Sequence, residues 1–121
     1  MKIFTTILLA GFIIIQTGSS QGRKFQLFPT NLRITVLNNL GNLEEGATVI
    51  VFNNEEDYRN EQNAIAGPEK TDRKGRVTFK RLPAKAYYIH VVKGDKSNIG
   101  QGVKADKLQE GRMNKINVVI Q

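Results

Sequence analysis

Thr71-Asp72-Arg73-Lys74-Gly75-Arg76-Val77-Thr78-Phe79-Lys80-Arg81-Leu82-Pro83-Ala84-Lys85-Ala86-Tyr87-Tyr88-Ile89-His90-Val91-Val92 decides the fold. Asp72 can bond its own backbone two residues on, and Gly75 takes a positive φ without steric cost. Together they predict the turn of a three-residue hairpin. Val77 and Phe79 then alternate with Thr78 and Lys80, so Arg76 to Leu82 reads as a strand with one buried and one wet face. Pro83, with no N–H for a ladder, stops it. From Tyr87 a second strand puts Tyr87, Ile89 and Val91 on one face and Tyr88, His90 and Val92 on the other.

The same period recurs on both sides of this stretch. Leu32, Ile34 and Val36 alternate with Arg33 and Thr35, a half-buried strand ending at Asn38-Asn39. Gly41-Asn42 and Glu45-Gly46 are turn formers. Ala47 to Phe52 follows as a strand without clean alternation, which suggests apolar cover on both faces. Asn54 to Asn63 breaks the pattern: Asn54 can cap, and Glu55, Glu56 and Asp57 stand where a helix N-terminus favours negative charge. A short helix or an acidic loop is expected there, with Ala64 to Pro68 leading into a strand through Lys70. Gly94 to Asn98 is a further turn, and two glycines weaken any strand over Ile99 to Lys104. Ile116, Val118 and Ile120 alternate in a last strand. Short strands about ten residues apart, punctuated by Gly, Asn, Asp and Pro, predict an all-β sandwich of about seven strands with a Greek-key, immunoglobulin-like topology.

The first 20 residues read differently. Lys2 is a positive start, and Ile3 to Ile15 is apolar but too short to span a bilayer of roughly 30 Å. Gly18 and Ser20 place small residues at −3 and −1 of a cut before Gln21, so residues 1–20 are expected to be a signal peptide, the alternative being an uncleaved anchor. Residues 21–31 then form a leader and 32–121 the domain. About 100 residues would remain, enough for one core that buries roughly two-thirds of its unfolded surface. The chain has no cysteine, so a lipid anchor on cysteine is excluded and stability has to come from packing and sheet hydrogen bonds. The formal charge of +7 rests on 18 Lys and Arg against 11 Asp and Glu. Arg73, Lys74, Arg76, Lys80 and Arg81 are the dense cluster, and such a balance draws a protein weakly toward anionic surfaces or glycans.

Glu45-Gly46 before Ala47-Thr48-Val49, then Thr71-Asp72, Gly75, Val77, Phe79, Leu82-Pro83, Tyr87, Ile89 and Val91 resemble the carboxypeptidase regulatory-like domain, a transthyretin-like or collagen-adhesin B-type sandwich. The resemblance covers roughly Leu32 to Ile120. It implies a seven-stranded Greek-key module that is an accessory part of exported proteins, periplasmic or secreted. Its residues are turn and core residues, so it speaks for fold rather than activity. Lys85 departs from it, since the family usually has glycine before the tyrosine.

Chemistry-bearing groups are few. His90 is the single histidine. A metal would need it to work with carboxylates such as Asp72 or Asp95, which have no ligand spacing. Ser97, Asp95 and His90 are the one conceivable triad, but they lie across a turn and no nucleophile elbow supports them. Transthyretin-like hydrolases need several histidines and a C-terminal tetrapeptide that this chain, ending Val-Val-Ile-Gln, does not have. The adhesin-type Lys–Asn crosslink could use Asn114 or Asn117, but the first strand offers Arg33, which stays protonated. No cofactor, metal or catalytic residue is therefore assigned, and a non-catalytic binding, adhesive or structural module is expected. Its candidate ligand-binding residues are Tyr58, Tyr88 and His90, an aromatic set suited to the apolar face of a sugar in a loop pocket at one end of the sandwich. Glycans, anionic surfaces or a protein are the expected partners. Nucleic acid is not, because Phe79, the aromatic interleaved with the basic cluster, belongs to the core.

Overall fold

The computed structural model of the protein describes residues Phe28–Gln121, and the expected signal peptide and Gln21–Leu27 lie outside them. These residues form an all-β sandwich of two sheets. The first holds three strands in the order β4 (Arg76–Phe79), β1 (Asn31–Asn38), β8 (Met113–Ile120). In the second, β3 (Ala66–Lys70), β2 (Thr48–Phe52), β5 (Tyr87–Lys93) and β6 (Lys96–Ser97) lie side by side, and β7 (Lys104–Ala105) also pairs with β5. The described residues thus contain eight strands. The difference from seven arises around the glycines at 100 and 102, where the expected Gly94–Asn98 turn carries the two-residue β6 and the weakened Ile99–Lys104 stretch keeps a strand only at its end, in the two-residue β7.

Alternation works as expected on the inner faces. Leu32, Ile34 and Val36 of β1, Phe79 of β4, and Val118 and Ile120 of β8 pack against Val49 and Val51 of β2 and Tyr87, Ile89 and Val91 of β5. Leu82 joins them from beyond the strand end. The buried Tyr87 hydroxyl donates to the Pro83 carbonyl at 2.6 Å, which satisfies its one polar atom. β8 runs parallel to β1 from Asn31↔Met113 to Asn38↔Ile120, so the C-terminal strand is tied along the full length of the first.

The Thr71–Gly75 turn forms as its chemistry requires, but it does not join paired strands. Asp72 Oδ1 accepts the Lys74 and Arg76 N–H groups at 2.8 and 3.0 Å, and Gly75 has φ +71°. Yet β3 belongs to the second sheet and β4 to the first, so the turn carries the chain across the sandwich rather than closing a hairpin. Thr71 anchors the crossing: its buried hydroxyl accepts the Ala47 N–H and donates to the Glu44 carbonyl. The adjacent Glu44 carboxylate is held by Lys93 at 2.9 Å and Lys96 at 3.2 Å, bridging this end to the β5–β6 turn. Those two bonds pull the Glu44 pKa down from 4.5 to about 2, against the opposing effect of burial.

Candidate functional site

The segment after β2 becomes a helix, α1 (Glu55–Asn60), and its position defines the site. Asn54 Oδ1 accepts the Asp57 N–H at 2.8 Å, the first turn carries Glu55, Glu56 and Asp57, and Arg59 pairs back to Glu55 one turn away. Six residues are too few to be helical alone in water. Packing supplies the rest, through Tyr58, which reaches the outer face of the second sheet.

On that face the strand register sets Phe52 beside Tyr88 and Ile50 beside His90. The Tyr58 ring lies 6.0 Å from Phe52 and 5.9 Å from His90, edge-on to each at 80° and 88°, and 6.1 Å from Tyr88 at a tilt of 35°. Such offsets match the attractive geometry of aromatic pairs, worth about 0.5–1.5 kcal/mol each beyond their burial. Burial, with Glu61 nearby, raises the Tyr58 pKa. Beyond Tyr88, the next residue across the sheet is Lys104 of β7, which is exposed. The result is a half-covered aromatic surface edged by an ammonium group.

Tyr58, Tyr88 and His90 are therefore brought together, on a sheet face rather than in an end-loop pocket. The Asn54–Pro68 segment folds back over the sheet instead of standing at the end of the sandwich, and the shallow cleft on it is lined by Glu55, Glu56, Arg59 and Asn60. His90 Nδ1 is buried without a hydrogen-bond partner among the described residues, and its ring neighbour is Tyr58 rather than an acid. Asp72 is occupied by its turn, and the Ser97 hydroxyl accepts the Ile99 N–H. Among the described residues no three His, Cys, Asp or Glu side chains gather as a metal would need. Asn114 is spent on the backbone, with its amide donating to the carbonyls of Asn31, Gln109 and Arg112, while Arg33 reaches Thr78. The basic cluster divides, with Arg73 and Lys74 at one end of β4 and Lys80 and Arg81 at the other.

Phe52 and Lys104 were not legible as parts of this surface. Phe52 did leave a trace, since Val51-Phe52 breaks the alternation and points to apolar cover on both faces. That cover is α1.

No family model and no curated protein matches the chain. Among solved structures it is similar to a streptococcal ancillary pilin, with a TM-score of 0.59 at 15% identity over 81% of this chain and 34% of that one. The major pilin subunit BcpA of Bacillus cereus gives 0.48 at 14% identity, over 78% and 30%. The chain thus spans about a third of the length of these pilins. At such identities the likeness to the ancillary pilin shows a shared all-β sandwich fold and nothing further. No helix among the described residues is long and apolar enough to cross a membrane.

Proposed function

We propose that the chain is an exported, non-catalytic accessory module of the carboxypeptidase regulatory-like kind, and that it holds acidic saccharide surfaces on the outer face of its second sheet. The observation that carries this reading is the convergence of Tyr58, Tyr88 and His90 within 5.9–6.1 Å, next to the exposed Lys104. Tilted tyrosines offer ring faces to the C–H groups of a sugar, and an adjacent ammonium favours a carboxylate or sulfate on it. Export is supported by Lys2, the Ile3–Ile15 run and the small residues before Gln21. An accessory role agrees with a sandwich shared with one domain-sized part of a pilin.

The test is a co-sedimentation screen of acidic and neutral polysaccharides at low salt and at about 0.5 M, where exposed charges are screened within a few ångströms. Binding to an acidic polysaccharide is expected to persist in part at high salt and to weaken about tenfold in Tyr88→Ala, the loss of one aromatic contact of about 1.4 kcal/mol. Binding that disappears at high salt and is equal in parent and Tyr88→Ala would assign the attraction to scattered charge and overturn the aromatic surface.

A further inference from the structure

A second surface lies between the sheets, where β8 is the last strand of the first sheet. One side of β8 pairs with β1, and no strand among the described residues covers the other until Gln121, whose backbone pairs with Ser97. Alternate N–H and C=O groups of Met113–Val118 therefore face a cleft of about 470 Å³, whose far wall is the Gly102–Gln109 segment. Its floor is apolar, made by Ile89, Leu108, Ile116 and Val118. Its rims are basic, with Lys115 on β8 and Lys104 and Lys107 opposite, while Asp106 is the acid in the lining.

We infer that this cleft is a docking site for an acidic, extended peptide segment of a protein partner, which adds to β8 as a further strand. Cross-strand neighbours share a face, so the pattern of β8 sets the pattern of its guest. Ile116 and Val118 point to the core side and call for apolar side chains beside them. Lys115, with Arg33 next to it across the β1 register, stands on the other side and calls for carboxylates. Backbone hydrogen bonds supply affinity and the alternate side chains supply selection, the usual division in strand addition. Charge also rejects the two nearest competitors. A second copy pairing through β8 would bring its own Lys115 to a basic rim, and lysine on an edge strand is a known guard against such self-pairing. The chain's own Gln21–Phe28 carries Arg23 and Lys24 into the same field.

The probe is a fluorescent peptide of about eight alternating valines and glutamates, the length that spans Met113–Val119 at about 3.3 Å per residue. Fluorescence anisotropy with the intact exported chain is expected to show saturable binding, at least tenfold weaker for a valine–lysine peptide and for the Lys107→Glu, Lys115→Glu variant. Lys104 is left unchanged because it also borders Tyr88, so failure here and failure of the saccharide reading stay distinguishable. N-methylation of one alternating set of peptide amides should abolish binding, and methylation of the other set should not. Equal binding of both methylated peptides would reduce the contact to charge and overturn strand addition. Tighter binding of a synthetic Gln21–Phe28 peptide, or a dimer in sedimentation that the acidic peptide fails to dissociate, would overturn the acidic partner.

Discussion

Replacing Asn98 should damage the fold more than any residue of comparable size. Asn98 is fully buried, and its side chain completes the edge of β5 between the short pairings at Ser97 and Lys104. Oδ1 accepts the Val91 N–H at 3.0 Å, and Nδ2 donates to the carbonyls of Ile89 at 2.8 Å and Gly102 at 3.2 Å. The side-chain amide thus stands in for a backbone peptide unit. In Asn98→Ala the Val91 N–H and the Ile89 carbonyl, both on buried residues, lose these partners at about 1–3 kcal/mol each, while the exposed Gly102 carbonyl can turn to water. A total near 3–5 kcal/mol is a large part of the roughly 5–15 kcal/mol expected of a domain, and corresponds to a fall in Tm of roughly 15–30 °C. Urea unfolding followed by circular dichroism measures it. Asn98→Asp sharpens the test, because the carboxylate would face two carbonyls where Nδ2 donated. Its folded pKa must rise above the unfolded value of about 3.9, so its difference from the parent should shrink toward acid and widen as pH rises through the folded pKa. A loss below about 1 kcal/mol in Asn98→Ala, or a pH-independent deficit in Asn98→Asp, would refute the amide-for-peptide substitution.

Two further changes probe the other end of the sandwich. Glu44 has its pKa depressed from 4.5 to about 2 by Lys93 and Lys96, so its stabilisation is fully present above about 4.5 and is lost as pH falls toward about 2. Glu44→Gln should flatten acid unfolding in that window while leaving the slope above pH 5 unchanged, as read by thermal melts at stepped pH. Gly75→Ala should destabilise by more than the 1–2 kcal/mol of a left-handed alanine, since a Cβ there would sit 2.8 Å from the Val36 carbonyl and 3.1 Å from the Glu44 amide. A chemical-denaturation loss under about 1 kcal/mol would show that the turn relaxes freely.

Much of the fold was legible because it obeys period 2. Leu32-Ile34-Val36, Val77-Phe79 and Tyr87-Ile89-Val91 each place their apolar side chains inward as alternation demands. The error at Thr71–Gly75 has a clear source. Turn chemistry acts over four or five residues and is the same whether the flanking strands pair with each other or with different sheets. The outcome is set by remote partners, with Lys70 lying opposite Thr48 and Arg76 opposite Thr35. Asn98 was obscured in a similar way, since an asparagine beside glycines reads as a turn former until its amide is seen bridging a strand edge. The cleft along β8 was invisible for a stricter reason, since being an edge is a property of sheet order and not of the strand's own residues.

β5 links these features. Its inner side chains build the core, its outer ones, Tyr88 and His90, build the aromatic surface, and its free edge is completed first by Asn98 and then by β7. β7 contributes Lys104, which borders both the aromatic surface and the cleft. Ile89 is the hinge of this arrangement: its N–H binds the Val103 carbonyl, its own carbonyl accepts from Asn98, and its side chain floors the cleft. A change at Asn98 therefore loosens the segment that positions Lys104 and the far wall of the cleft, whereas a change at Tyr88 removes one ring and leaves that edge ladder in place. Loss of both proposed binding activities together would thus point to the edge of β5, and loss of one alone to its own surface.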